Sequence, residues 1–203
     1  MRKTICLALA LLLIPVAPTL AGEAGDAVFA ERGPWSLGEA QLVWSETVEG
    51  PAAEGFRPVQ DGTLTLTEIV DPADGKPVLQ LIHDASDFQR KLGPFPISGG
   101  DPVLTFFLER TARDMAVLTG GSPFYIRNRM KDALFGGGNL TRDGDTVVAR
   151  FTPFAADPNA ARMGGFETME MVFTIGGPKA PIREMVARTE GDRPGYLNRL
   201  VMK

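Results

Sequence analysis

DPVLTFFLERTARDMAVLTGGSPFYIRNRMKDALFGGG (101–138) is where the chain changes period. Asp101-Pro102 and Ser122-Pro123 each place a capping side chain before a proline at the first helical position. After the first pair, Leu104, Phe107, Leu108, Thr111, Met115 and Leu118 recur at helical spacing. After the second, Ile126, Met130, Ala133 and Leu134 do the same. Gly120-Gly121 and Gly136-Gly137-Gly138 stop the two runs. The stretch predicts two consecutive helices. Its glycines and basic residues invite comparison with a phosphate cradle. The Lys-Ser/Thr ending of a P-loop is missing, however, and so is a Gly-x-Gly-x-x-Gly pattern. The second run therefore reads as a capped core helix.

On both sides of this pair the period is two. GTLTLTEIV (62–70) alternates leucine with threonine, DPADGKP (71–77) turns the chain, and VLQLIH (78–83) returns; QLVW (41–44) is a shorter strand-like run. After the helices, NLTR (139–142) and TVVARF (146–151) flank Asp143-Gly144, a strong hairpin signal. FETMEMVFTI (166–175), PIREMVART (181–189) and YLNRLVM (196–202) follow. Strands, then a helix pair, then strands, without βαβ alternation, imply an α+β class. The expected architecture is a curved antiparallel β-sheet with a central helix pair packed on one face, forming a single domain over 41–203. Residues 22–40 contain prolines and glycines with little periodicity, and are expected to be an extended N-terminal segment.

Residues 1–21 read as a secretory signal peptide. Arg2 and Lys3 precede the apolar run ICLALALLLI (5–14), prolines follow, and Thr19-Leu20-Ala21 offers small residues for cleavage after Ala21. The apolar run is shorter than the roughly 20 residues that span a bilayer. Cleavage removes Cys6, the sole cysteine, and two cations; 21 Lys+Arg and 25 Asp+Glu in the whole chain become 19 − 25 = −6. The expectation is a cysteine-free periplasmic domain, with no transmembrane segment in the mature chain. Its mild acidity argues against a nucleic-acid partner.

Candidate chemistry is sparse. His83 is the sole histidine, which rules out a multi-histidine metal site, and it is expected at the surface of a strand end. No serine sits in Gly-x-Ser-x-Gly or Ser-x-x-Lys. Glu167 and Glu170 are expected on a solvent face, and Met169 and Met171 as core filler. These features argue against an enzyme, a metal or a cofactor, and leave binding.

The strand, helix-pair and strand order, with RFTPF (150–154), ETMEMVFTI (167–175) and IREMVARTEG (182–191), resembles the periplasmic lipoprotein carriers of the LolA/LolB type. That resemblance implies a curved sheet wrapped around helices and an apolar cavity for acyl chains, with a lipid or a lipidated protein as partner. No functional residue is carried over from the family. Two function classes follow. In the first, the protein is an exported, non-catalytic carrier or sensor of an apolar ligand, with Val103, Phe106, Phe107 and Phe173 lining its cavity. Five apolar residues among positions 103–108 make that end of the helix apolar on more than one side. In the second, it is a protein-interaction module whose loop 152–165 presents Phe154, Asp157 and Met163.

Overall fold

The structure is a computed structural model that describes residues 22–177, 179–191 and 195–203. The expected signal segment and its cut after Ala21 lie outside the described residues. The chain folds as α+β. A short helix α1 (Glu23–Val28) precedes strands β1 (Gln41–Glu49), β2 (Val59–Val70), β3 (Pro77–Ala85) and β4 (Phe88–Pro96). Helices α2 (Pro102–Thr119) and α3 (Pro123–Gly136) follow. Strands β5 (Asn139–Asp143), β6 (Thr146–Phe151), β7 (Glu170–Ile175), β8 (Ile182–Arg188) and β9 (Leu197–Met202) complete the chain.

All nine strands form one curved, unclosed antiparallel sheet in the order β4-β3-β2-β1-β9-β8-β7-β6-β5. Two meanders are joined where β1 pairs with β9, from Trp44 opposite Met202 to Glu49 opposite Leu197. The alternation seen in the sequence separates the two faces. Leu64, Leu66, Leu79, Leu81, Met171 and Phe173 are fully buried on the inner face. Thr63, Thr65 and Thr67 take the outer face, with the ion pairs Arg188–Glu170 (2.7 Å) and Arg199–Glu184 (2.8 Å). One packed and one solvated face is the usual economy of an antiparallel sheet.

The helix pair lies against the inner face. Asp101 Oδ1 accepts from the Val103 and Leu104 amides at 2.9 and 3.1 Å, and Gly120 ends α2 in the left-handed region at φ 67°. Val103, Phe107, Thr111 and Met115 form the buried stripe of α2. The Phe107 ring meets Phe173 edge-on at 5.9 Å, and Phe173 meets Phe151 at the same distance. Ser122 caps α3 with a long 3.5 Å bond, and Ile126, Met130 and Leu134 are its buried side. Arg127 of α3 binds Glu109 of α2 at 2.9 Å.

Residues 22–40 are not a simple extended segment. α1 packs against α3, and Gly25 is what permits it: a Cβ there would stand 2.1 Å from the Leu134 carbonyl oxygen. The buried Arg32 guanidinium then donates to the carbonyls of Ala27, Val28, Ala30 and Ala180 at 2.8–3.1 Å. Further on, the Trp35 amide donates to Ile97 O (2.9 Å), and the Leu37 and Gly38 amides donate to Glu68. The segment is a strap across one end of the sheet. A six-residue helix carries too little periodicity to be read from sequence.

Gly25→Ala is expected to lower stability by roughly 1–3 kcal/mol, because backbone must move to admit the methyl group. Gly136→Ala meets open space at the end of α3. It should be neutral or stabilising by up to about 1 kcal/mol. Urea unfolding of the two variants beside the parent protein checks both.

Candidate functional site

α2 sits on the sheet asymmetrically. Its buried stripe rests towards β7–β9, where Asn198 of β9 donates to Thr111 Oγ1 at 2.9 Å. Its neighbouring stripe faces β4 instead. Pro102, Thr105, Phe106, Glu109, Arg110 and Arg113, spaced at helical intervals, form one wall of a cleft of about 680 Å³. The opposite wall is Phe88, Arg90, Leu92 and Phe95 of β4, and Leu81 and His83 of β3 contribute as well.

A bulge makes the β4 wall apolar. Leu92 pairs with Leu81 and Phe95 with Leu79, so β4 spends three steps where β3 spends two. Without the extra residue, Phe95 would point to the face opposite Leu92. Gly93, at φ 112°, occupies the bulge, where a Cβ would lie 3.0 Å from the Leu79 carbonyl oxygen. Phe88, Leu92 and Phe95 are therefore all half-buried on the inner side. Arg90 pairs with His83 between them, and so shares their phase.

The floor holds a polar pair. His83 Nε2 lies 2.5 Å from Glu46 Oε2, with the two side chains 5% and 0% exposed. The rings of Phe88 and Phe106 meet His83 edge-on, each at 4.9 Å. This corrects the expectation of a surface histidine: position 83 is on the same phase as Leu79 and Leu81, so the strand turns it inward. Gly62 makes room for the carboxylate, since a Cβ there would lie 2.8 Å from Glu46 Oε2. Next to it, Asp114 accepts from Arg110 Nε (2.8 Å) and from the Tyr196 hydroxyl (3.0 Å). Burial raises the Asp114 carboxyl above its ordinary range despite the opposing pull of Arg110. Burial, followed by the nearby Asp114 charge, pushes the Tyr196 phenol well above its usual value.

The expected ligand-lining residues divide. Phe106 lines the cleft. Val103, Phe107 and Phe173 are 0% exposed and pack in the core behind it. The start of α2 meets the sheet on one side, and on its other flank Phe106 borders the cleft. In loop 152–165, Phe154, Asp157 and Met163 point inward, at 0%, 5% and 6% exposure, and are not presented to a partner. Asp157 accepts from the Tyr125 hydroxyl (2.9 Å), Arg129 Nε (2.8 Å) and the Asn159 amide (2.8 Å), which pins the loop to α3.

Sequence reasoning missed Glu46 and Arg90. Both had the same faint signal, a charged residue in the apolar phase of a strand: Trp44-x-Glu46-x-Val48 and Phe88-x-Arg90-x-Leu92.

Thr105 supplies a side-chain hydroxyl to the cleft wall. Among the described residues, no cluster of three His, Cys, Asp or Glu is placed to hold a metal ion, and no helix is long and apolar enough to cross a membrane. No protein-family model matches the chain, and no curated protein matches it in sequence.

Asp157 gives a pH signature. Burial alone would raise its carboxyl, but the Asn159 amide, Tyr125 hydroxyl and Arg129 guanidinium together hold it below the ordinary value. A depressed folded-state value stabilises above the unfolded carboxyl's range, and that contribution is lost as pH falls through the folded one. The urea midpoint of the parent protein should therefore drop further on acidification than that of Asp157→Asn. Parallel pH dependences in the two proteins would contradict this assignment.

Proposed function

We propose that this protein is an exported, non-catalytic binding protein, a carrier or sensor that holds an apolar or lipid ligand in the cleft between α2 and β3–β4. One observation carries the reading. Phe88, Leu92, Phe95 and Phe106, each only partly buried, line a cleft of about 680 Å³ from two walls. That size falls within the roughly 300–1,000 Å³ of small-molecule sites. A core of the same side chains would pack to crystal-like density and leave few voids larger than a water. The resemblance of the element order to that of the LolA/LolB-type carriers supports the same reading, as does the signal-like N-terminus, which would deliver the chain to the periplasm. A lipid or the acyl chain of a lipidated protein is the fitting partner.

Phe106→Trp enlarges the side chain in the cleft without touching the Phe107–Phe173 contact. It should weaken uptake of a fluorescent apolar dye several-fold and leave the melting temperature within a few degrees of the parent value. A strongly lowered melting temperature with dye binding unchanged would mean that position 106 is packed core, against the carrier reading. Native mass spectrometry of gently purified protein should show a lipid-sized adduct that Phe106→Trp loses.

A further inference from the structure

The cleft has a second chemistry that an apolar ligand alone leaves unused. Arg57, Arg90, Arg110 and Arg113 all line it; Glu109 is the carboxylate on its walls, and Glu46 lies behind His83 in the floor. Glu109 is already engaged by Arg127 from α3 at 2.7 Å, with Arg113 further off at 3.7 Å. Arg110 is committed to Asp114 and to the Arg57 carbonyl. Among the described residues, the side chains of Arg57 and Arg90 make no salt bridge. Both residues are exposed. Arg90 is the telling one. It occupies the inward phase of β4 between Phe88 and Leu92, where an apolar residue would extend the wall.

We infer that the cleft takes a single-chain amphiphile with an anionic head, of the fatty-acid carboxylate class. The chain would lie along Phe88, Leu92, Phe95 and Phe106, and the carboxylate would meet the guanidinium groups of Arg90 and Arg57. Guanidinium presents paired donors that match a carboxylate bidentately, which a lysine could not do. The same rim would repel a cationic head, and would offer a neutral hydroxyl hydrogen bonds without the charge attraction. This inference rests on the carrier reading, and specifies the ligand's head group.

Displacement of the apolar dye by three matched amphiphiles, dodecanoate, dodecanol and dodecyltrimethylammonium, tests it. Dodecanoate should bind about tenfold more tightly than dodecanol, in line with a hydrogen bond to a charged partner. The cation should bind most weakly. The advantage of dodecanoate should shrink as salt is raised, because both arginines are exposed. Arg57→Gln combined with Arg90→Gln should erase the preference of dodecanoate over dodecanol and leave the melting curve unchanged. Equal binding of dodecanoate and dodecanol, or a preference that survives the double substitution, would overturn the head-group assignment and leave the carrier reading standing. Failure of both the dye and every amphiphile to bind would overturn the two together.

Discussion

The chain has to travel from β4 to β5, and these consecutive strands lie at opposite edges of the sheet. Nine strands make eight spacings, about 38 Å along the sheet at roughly 4.8 Å each. A short loop cannot cover that distance. α2 and α3, with 18 and 14 residues, supply about 27 and 21 Å of helix at 1.5 Å per residue. The glycines at 120 and 121 let the path bend between them. The helix pair is thus the bridge that the sheet order demands, and the inner face is where its apolar stripes can be buried. The contact of Phe107 with Phe173 fixes where the bridge comes down. Because it lands towards β7–β9, the other flank of α2 stands away from β4. The cleft follows from that offset.

Directional bonds hold the offset. The apolar floor near α2 is rich in methionine, with Met115, Met169, Met171 and Met185 all at most 1% exposed. Methionine adapts to many packings and specifies none strongly. The hydrogen bonds of Asn198 to Thr111 and of Tyr196 to Asp114 tie α2 to positions on and just before β9. Removing one partner from such a buried pair costs more than the pair contributes, because the other polar group is left without a partner. The Glu46–His83 pair has the same character at the back of the cleft. Its position is set by strand register, with Glu46 opposite Gly62 and Leu200, and His83 opposite Leu64 and Arg90.

The sequence was legible where one period held over many residues. Both helices, their caps and the 62–83 and 139–151 hairpins are visible in it, because burial on one face leaves a repeating mark. β4 was not legible: Gln89, Arg90 and Lys91 are polar, and the bulge at Gly93 shifts the phase before Phe95. α1 was too short to show a period. Within the site, Phe106 could be named from the excess of apolar residues at 103–108. Val103 and Phe107 looked the same in sequence, and only the landing of α2 separates core from cleft. The inward turn of Phe154, Asp157 and Met163 depends on contacts with α3 that no local pattern announces. His83 was misplaced because the strand extends to Ala85, which puts the histidine inside it rather than at its end.

Under the proposed function, the ligand's chain occupies the space between α2 and β3–β4, while the contact that seats α2 stays closed. Isotope-filtered NMR with carbon-13-labelled dodecanoate tests this directly. Cross-peaks are expected from the chain methylenes to the side chains of Phe88, Leu92, Phe95 and Phe106, and none to Phe107 or Phe173. Cross-peaks to Phe107 and Phe173, or only to the exposed rings of Phe124 and Phe135 on α3, would contradict it.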